Sequence, residues 1–287
     1  MRLFSVALTS LALLIASASP ALAAPNKGNK GKSKAPPAAA APVLDEKLSQ
    51  MVVAKLASND AGEVLEGLTA AGAGGPIGAP LAPAIEALLK RGTTLPLAKA
   101  AIDALGAIGA ESSSAALRPY MRHRVPELRR AAARALGSTR GPEALAAFRD
   151  GLRSPDGQVR GFSATGLGNL WAADALPDLF LALDHNVTEA ASSIGLLCTA
   201  STCEKFLARL GSLPLDVMTS GIDPIFFRPQ PFPDEKLVDV VGRLRELGSP
   251  EAGKYLADVL GRWPTAGSKR VKQVLESAVA SLPVGGK

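Results

Sequence analysis

Histidine, cysteine and aromatic residues are scarce in this sequence, which restricts the chemistry that it can perform. The 287 residues include two histidines, two cysteines and only 4% aromatic side chains. His123 and His185 lie far apart, and neither has a second ligand at the spacing of a helical metal site. A nucleophile-elbow motif is also missing, and the glycine-rich segment 72–76 lacks the Lys-Ser/Thr ending of a phosphate loop. We therefore predict a protein that is not an enzyme, with no catalytic residue, metal or cofactor.

Long apolar runs are confined to the N-terminus. Residues 1–23 contain Arg2, an apolar run from Leu3 to Ala16, and the small-residue signature Ala21-Leu22-Ala23. This pattern predicts a secretory signal peptide that is cleaved near Ala23, because the run is shorter than the ~20 residues of a spanning helix. No later stretch is apolar enough to span a bilayer, so we predict no transmembrane segment in the mature chain. The expected location is periplasmic or secreted.

The next segment, residues 24–43, is of low complexity. Four lysines alternate with glycine, asparagine and serine, and a run of proline and alanine follows. Such a composition cannot bury a hydrophobic core. We predict a disordered basic and Pro-Ala linker.

Residues 44–287 contain an internal repeat. The segments 97–106, 128–137 and 154–168 align, and a weaker copy covers 58–72. The glycines that close these four copies, Gly72, Gly106, Gly137 and Gly168, are spaced 34, 31 and 31 residues apart.

Each copy is preceded by a shorter helical pattern, so the repeating unit is a helix pair. A pair this small buries its apolar face only by stacking on its neighbours. The sequence therefore predicts an all-α fold, a right-handed α-solenoid of six or seven stacked antiparallel helix pairs. In this interpretation Gly106, Gly137 and Gly168 end helices, and Ser154 caps the helix that leads to Gly168.

Two of the copies carry the motif of a known family. Val159-Arg160-x-x-x-Ala164-x-x-Leu167-Gly168 and Leu128-Arg129-x-x-Ala132-Ala133-x-Ala135-Leu136-Gly137 resemble HEAT repeats, and are most similar to the short HEAT-like type of the phycobilisome lyases. The resemblance covers 45–200 well and 234–282 loosely. It implies a scaffold or binding surface, and it implies structural roles for Arg129 and Arg160, paired with acids of neighbouring repeats. It does not carry over lyase chemistry, since no catalytic position is shared.

The fifth unit departs from this pattern. Cys198 and Cys203 occupy the positions of Gly137 and Pro142, the residues that separate two helices. Because an exported chain keeps disulfides, we predict a Cys198–Cys203 bridge, with a pair of buried reduced cysteines as the alternative. The proline-rich stretch 211–233 predicts an irregular insertion. The helical pattern resumes at residue 234, and residues 269–282 are expected to form a capping helix.

Positive charge is concentrated in one segment. Residues 118–160 hold ten arginines and four acidic residues. Two interpretations stay open: a solvated face with inter-repeat ion pairs, or a concave surface that binds anions. The candidate residues for binding an anion or a partner are Arg122, His123, Arg124, Arg130, Arg134 and Arg153.

These observations favour an exported, non-enzymatic protein-interaction scaffold whose partner is an unidentified protein. The alternative is a binding module for an anionic envelope polymer or lipid, which would contact the arginine-rich face of residues 118–160. An enzyme is the second alternative. Export argues against nucleic acid as the partner.

Overall fold

Residues 44–228 and 232–282 are described by the computed structural model of the protein. These ranges contain fifteen α-helices, short 3-10 turns and no β-strand. The predictions for residues 1–23 and 24–43 lie outside the described residues. An all-α solenoid is thus the observed architecture, in agreement with the sequence.

The first twelve helices form two layers of alternating members. The outer layer consists of α1 (Glu46–Leu56), α3 (Ala82–Arg91), α5 (Ser114–Leu117), α7 (Pro142–Gly151), α9 (Leu176–Asp184) and α11 (Ala200–Leu207). The inner layer consists of α2 (Ala61–Ala73), α4 (Leu95–Ile108), α6 (Pro126–Thr139), α8 (Gly157–Asn169), α10 (Ala190–Leu197) and α12 (Leu215–Phe227). The short helix α5 continues into a 3-10 turn over Arg118–Arg122. Helices α13 (Asp234–Glu246), α14 (Pro250–Arg262) and α15 (Lys269–Ser281) complete the array.

The inner helices contact one another in chain order, from α2 to α12. Their leucines form the centre of the core: Leu105, Leu136 and Leu167 are fully buried. Because these residues recur at the repeat period, each repeat presents an equivalent apolar surface to the next. The stacked register that the sequence predicts is therefore confirmed at Leu136 and Leu167.

Small residues allow the inner helices to approach closely. A Cβ atom added to Gly106 would lie 2.9 Å from the Cα of Ala135 on the next inner helix. A Cβ atom added to Gly168 would lie 2.9 Å from the Cβ of Ser193, which is again on the following helix. Real Cβ atoms do not approach so closely, so glycine is required at both positions.

The predicted helix ends are wrong by two or three residues. Gly106, Gly137 and Gly168 all lie inside helices, and Gly137 has open space around its missing Cβ. The left-handed conformation appears three residues later, at Gly109, Arg140 and Trp171. The regular spacing of these glycines therefore does not mark the helix ends. At Gly106 and Gly168 it reflects close packing between helices. The cap of α8 also differs from the expectation, since Asp156 and not Ser154 is its N-cap.

The irregular insertion expected at 211–233 is largely a regular helix. Helix α12 extends from Leu215 to Phe227 with Pro224 inside it, although residues 229–231 lie outside the described ranges. An interior proline removes one backbone hydrogen bond, but Met218, Ile222 and Ile225 bury one face of this helix against the core. Burial of that face offsets the cost of the proline.

The predicted disulfide between Cys198 and Cys203 is present. Cys198 directly follows α10, Cys203 lies in α11, and their Cα atoms are 5.1 Å apart. Arg228 donates to the carbonyl oxygen of Cys198 at 2.9 Å and also to that of Gly195. Its guanidinium lies 5.0 Å from the ring centroid of Phe232. The disulfide and Arg228 therefore stabilise the end of α10. In the earlier repeats, a residue in the left-handed conformation follows the inner helix.

Two glycine-to-alanine substitutions provide a matched test of the packing. Gly106→Ala should destabilise the protein by about 1–3 kcal/mol, because the new methyl group overpacks the contact with Ala135. Gly137→Ala should be neutral or stabilising by up to about 1 kcal/mol, because the same methyl group meets nothing and favours the helix. Chemical denaturation of both variants measures the difference. Equal effects would show that the two helices are not in close contact at Gly106.

Candidate functional site

The arginine-rich segment of residues 118–160 forms a groove between two of its outer-layer elements. The 3-10 turn Arg118–Arg122 and the loop before α6 lie on one side, and the end of α7 lies on the other. The groove has a volume of about 690 Å³. It brings together four of the six candidate residues: Arg122, His123, Arg124 and Arg153. We call it the central groove.

Arginine predominates over acidic side chains in this groove. Five arginines line it, and Asp150 is its one acidic lining residue among the described parts of the chain. Asp150 accepts hydrogen bonds from Arg122 at 2.9 Å and from Arg118, which also pairs with Glu143. The side chain of Arg122 is still 77% exposed, so its guanidinium keeps donors that face solvent.

Arg124 and Arg153 have still fewer intramolecular contacts. Arg153 lies 3.7 Å from Asp178, but its side chain is 72% exposed. Arg124 is exposed, and within residues 44–228 and 232–282 it has no acidic side chain at ion-pair distance. The central groove therefore carries three guanidinium groups that a partner can reach.

The buried carboxylate of Asp156 links two inner helices next to the central groove. Its side chain is 2% exposed and accepts hydrogen bonds from Arg129 at 3.2 Å and from Arg130 at 3.0 Å. Burial raises the pKa of Asp156, but the hydrogen bond and charge of Arg130 and the backbone N–H groups of Gln158 and Val159 outweigh it. The pKa of Asp156 is therefore below its ordinary value. Asp156 joins α6 to α8 across the repeat boundary.

The two motif arginines make the same backbone contacts in successive repeats. Arg129 donates to the carbonyl oxygens of His123 and Arg124, six and five residues before it. Arg160 donates to those of Ser154 and Pro155, also six and five residues before it. Both arginines hold the turn that enters an inner helix. An ion pair with a neighbouring repeat occurs at Arg129, whereas the contacts of Arg160 are local.

Arg130 and Arg134 do not join the other candidates. The sequence places them on one face of α6, but neither lines the central groove. Arg130 is engaged by Asp156, and the guanidinium of Arg134 lies 5.5 Å from the ring centroid of Phe162. Arg130 and Arg134 thus lie outside the central groove, and their predicted role in binding an anion or a partner stays a prediction.

Tyr120 lies between Pro119 and Met121, two lining residues of the central groove, and the sequence did not reveal its contacts. Its hydroxyl donates to the carbonyl oxygen of Leu89 at 3.2 Å, and its ring stacks on that of His123 with centroids 5.8 Å apart. Burial raises the pKa of Tyr120. His123 in turn accepts a hydrogen bond at Nδ1 from the backbone N–H of Val125. A lone aromatic residue in a 3-10 turn gives no periodic signal, so the sequence could not reveal it.

Neither a metal-binding cluster nor a membrane-spanning helix occurs in the described ranges. Residues 44–228 and 232–282 contain no group of three histidine, cysteine or acidic side chains arranged to hold a metal ion. No helix in those same ranges has the length and apolar character needed to cross a membrane.

Comparison with protein families identifies the repeats. Residues 82–161 match the family model described as HEAT repeats. This segment contains the central groove and both motif arginines. Residues 82–161 of this α-solenoid thus carry HEAT repeats, as the resemblance predicted for this segment. A comparison with curated proteins found no match.

Solved structures similar to this chain include a lyase complex, a designed armadillo repeat protein and engineered proteins. The complex of CpcE and CpcF of phycocyanin lyase from Nostoc sp. PCC7120 is 20% identical, with 88% of this chain and 100% of that chain covered and a TM-score of 0.46. The designed armadillo repeat protein YIII(Dq)4CqI is 15% identical, with 82% and 99% covered and a TM-score of 0.41. An engineered protein, target OR329 of the Northeast Structural Genomics Consortium, is 19% identical, with 83% and 96% covered and a TM-score of 0.39.

The role of Asp156 predicts a pH-dependent stability. Since its pKa is lowered on folding, Asp156 stabilises the protein above its unfolded pKa of about 3.9, and this contribution is lost as the pH falls through the folded value. Asp156→Asn should cost about 1–3 kcal/mol at pH 7, because it leaves Arg129 and Arg130 without their carboxylate. Urea denaturation from pH 7 to pH 3 should show the difference between variant and wild type shrinking below about pH 4. A difference that does not change with pH would contradict this role.

Proposed function

We propose that this protein is an exported, non-enzymatic interaction scaffold whose central groove binds a partner protein. The observation that supports this most strongly is the composition of the groove. Five arginines line it with one aspartate, and apolar side chains such as Met121 and Ala147 form its walls. Arginine and apolar surface together are typical of a protein-binding site, because arginine pairs with carboxylates while apolar contacts supply affinity.

The ion pairs of the groove do not prevent binding. Exposed pairs contribute only about 0–1 kcal/mol each, so a partner carboxylate can compete for Arg122 and Arg153 at little cost. Arg129 differs, because its partner Asp156 is buried and its own side chain is 18% exposed. We therefore assign binding to Arg122, Arg124 and Arg153, and positioning of the turn to Arg129.

The alternative is a module that binds an anionic envelope polymer or lipid through the same arginines. The observation in its favour is the surplus of guanidinium groups, which suits phosphate as well as carboxylate. The two proposals differ in salt dependence. Binding by charge alone should weaken steeply with ionic strength, whereas binding that also buries apolar surface should weaken less.

Export is part of the proposal and depends on two features. The first is the N-terminal pattern of Arg2, apolar run and Ala21-Leu22-Ala23. The second is the Cys198–Cys203 disulfide, which persists in the periplasm or outside the cell but is reduced in the cytoplasm. The periplasm or the extracellular space is therefore the location that we propose.

Photo-crosslinking from the groove tests the scaffold proposal. A photoreactive residue at Pro155, an exposed lining residue outside the three binding arginines, should yield a discrete protein adduct in the cells that make the protein. This adduct should be lost when Arg122 and Arg153 are both changed to glutamate. The same photoreactive residue at Lys254, an exposed position on α14, is the matched control and should yield no such adduct. Identical products from both positions, or an adduct indifferent to the charge reversals, would contradict a specific groove interaction. Unchanged melting curves of the variants exclude unfolding as the cause.

Mass spectrometry of the mature protein tests export. We expect an N-terminus at Ala24 or Pro25 on protein recovered from the envelope or the medium. Recovery there of protein that retains Met1 would contradict cleavage of a signal peptide.

A further inference from the structure

The central groove continues into two neighbouring grooves. An upstream groove of about 640 Å³ lies between α3 and the 3-10 turn, and it shares Pro119 and His123 with the central groove. A downstream groove of about 390 Å³ lies between α7 and α9, and it shares Arg153 with the central groove. The shared residues join the three grooves into one path across consecutive outer-layer elements. His123 and His185, the two histidines of the chain, both line this path.

Apolar side chains form walls along the whole path. Ala87 and Tyr120 line the upstream groove, Met121 the central groove, and Leu152 and Leu181 the downstream groove. Leu181 is 53% exposed, although it lies on a helix whose other leucines, at 176, 179 and 183, are buried. A ligand that carries only charge would leave these apolar surfaces in water and gain nothing from them.

Exposed cations are spread along the same path. Lys90 is exposed in the upstream groove, Arg122 and Arg124 in the central groove, and Arg153 at the junction with the downstream groove. Acidic lining residues are fewer, namely Glu86, Asp150 and Asp178. Charge complementarity therefore favours a ligand that is negatively charged along its length.

The length of the path fits a short extended peptide. Neighbouring packed helices lie about 8–10 Å apart, so the centres of the first and third grooves lie roughly 20 Å apart. An extended chain advances about 3.3 Å per residue, so six to eight residues, as an order of magnitude, would cover the path. We infer that the partner of this scaffold is an extended acidic peptide segment of about this length, with apolar residues among its carboxylates. This inference rests on the proposed function and adds the chemistry and conformation of the partner.

Three labelled probes of equal negative charge separate peptide from polyanion. The first is an eight-residue peptide in which glutamate alternates with leucine or valine, the second replaces the apolar residues with glycine, and the third is inorganic polyphosphate. Fluorescence anisotropy should show the first probe binding about tenfold or more tightly than the other two, because it alone can use the apolar walls. A four-residue version of the first probe reaches fewer grooves and should also bind more weakly.

Matched variants place the peptide on the path. Leu181→Ser should weaken binding of the alternating peptide about tenfold, whereas Leu95→Ser, at a similarly exposed leucine outside the three grooves, should not. Arg124→Glu should weaken binding of all three probes, and Lys254→Glu, with the same charge change on α14, should have little effect. Circular dichroism checks that each variant keeps its helices.

The outcomes distinguish the inference of an acidic peptide partner from the proposed scaffold function. Equal affinity for the three probes, with loss only in Arg124→Glu, would overturn the peptide inference and leave the arginine groove as a general anion site. Binding of the alternating peptide that is unaffected by Leu181→Ser would likewise overturn it. No binding of any probe would overturn the peptide inference, and the scaffold proposal would then rest on the photo-crosslinking result alone.

Discussion

Close contact between successive inner helices is the constraint on which the rest of the structure depends. Gly106 against Ala135, and Gly168 against Ser193, bring the helix backbones near enough for the intervening leucines to be fully buried. A helix pair is too small to bury its apolar face alone, so stacking on its neighbours completes the core. The outer elements are held at the repeat spacing as a result, and the grooves between them follow from that spacing.

The repeat boundary at Asp156 shows how the stack also positions the site. The buried carboxylate links Arg129 and Arg130 of α6 to the start of α8. Arg129 then holds the carbonyl groups of residues 123 and 124, which form one side of the central groove. The path of partner-binding residues thus depends on ion pairs and hydrogen bonds that are themselves part of the stack. A partner would meet a surface that is already arranged, which lowers the entropic cost of binding.

The sequence predicted the parts of the structure that repeat, and it failed where local chemistry competes with packing. The glycine period, the buried Leu136 and Leu167 and the Cys198–Cys203 bridge all follow from alignment of the units. The helix ends were misplaced, because a helix-stopping glycine and a close-packing glycine look alike in one sequence. Helix α12 was missed because the prolines in and around it indicated irregular structure. Its apolar residues stabilise the helix only through packing against the neighbouring helix, which the sequence does not show. Arg122, Arg124 and Arg153 line the central groove, whereas Arg130 and Arg134 do not. This difference depends on tertiary contacts, which residue spacing in the sequence does not predict.

A double-mutant cycle across the contact between Gly168 and Ser193 tests the central claim most directly. Gly168→Ala alone should destabilise the protein, because its methyl group would overlap the Ser193 side chain. Removing that side chain with Ser193→Gly makes room for the methyl group, so the account predicts that the double variant loses about 1 kcal/mol less than the sum of the single variants. Strict additivity of the two losses, measured by chemical denaturation, would show that the inner helices are not in close contact there and would contradict the account.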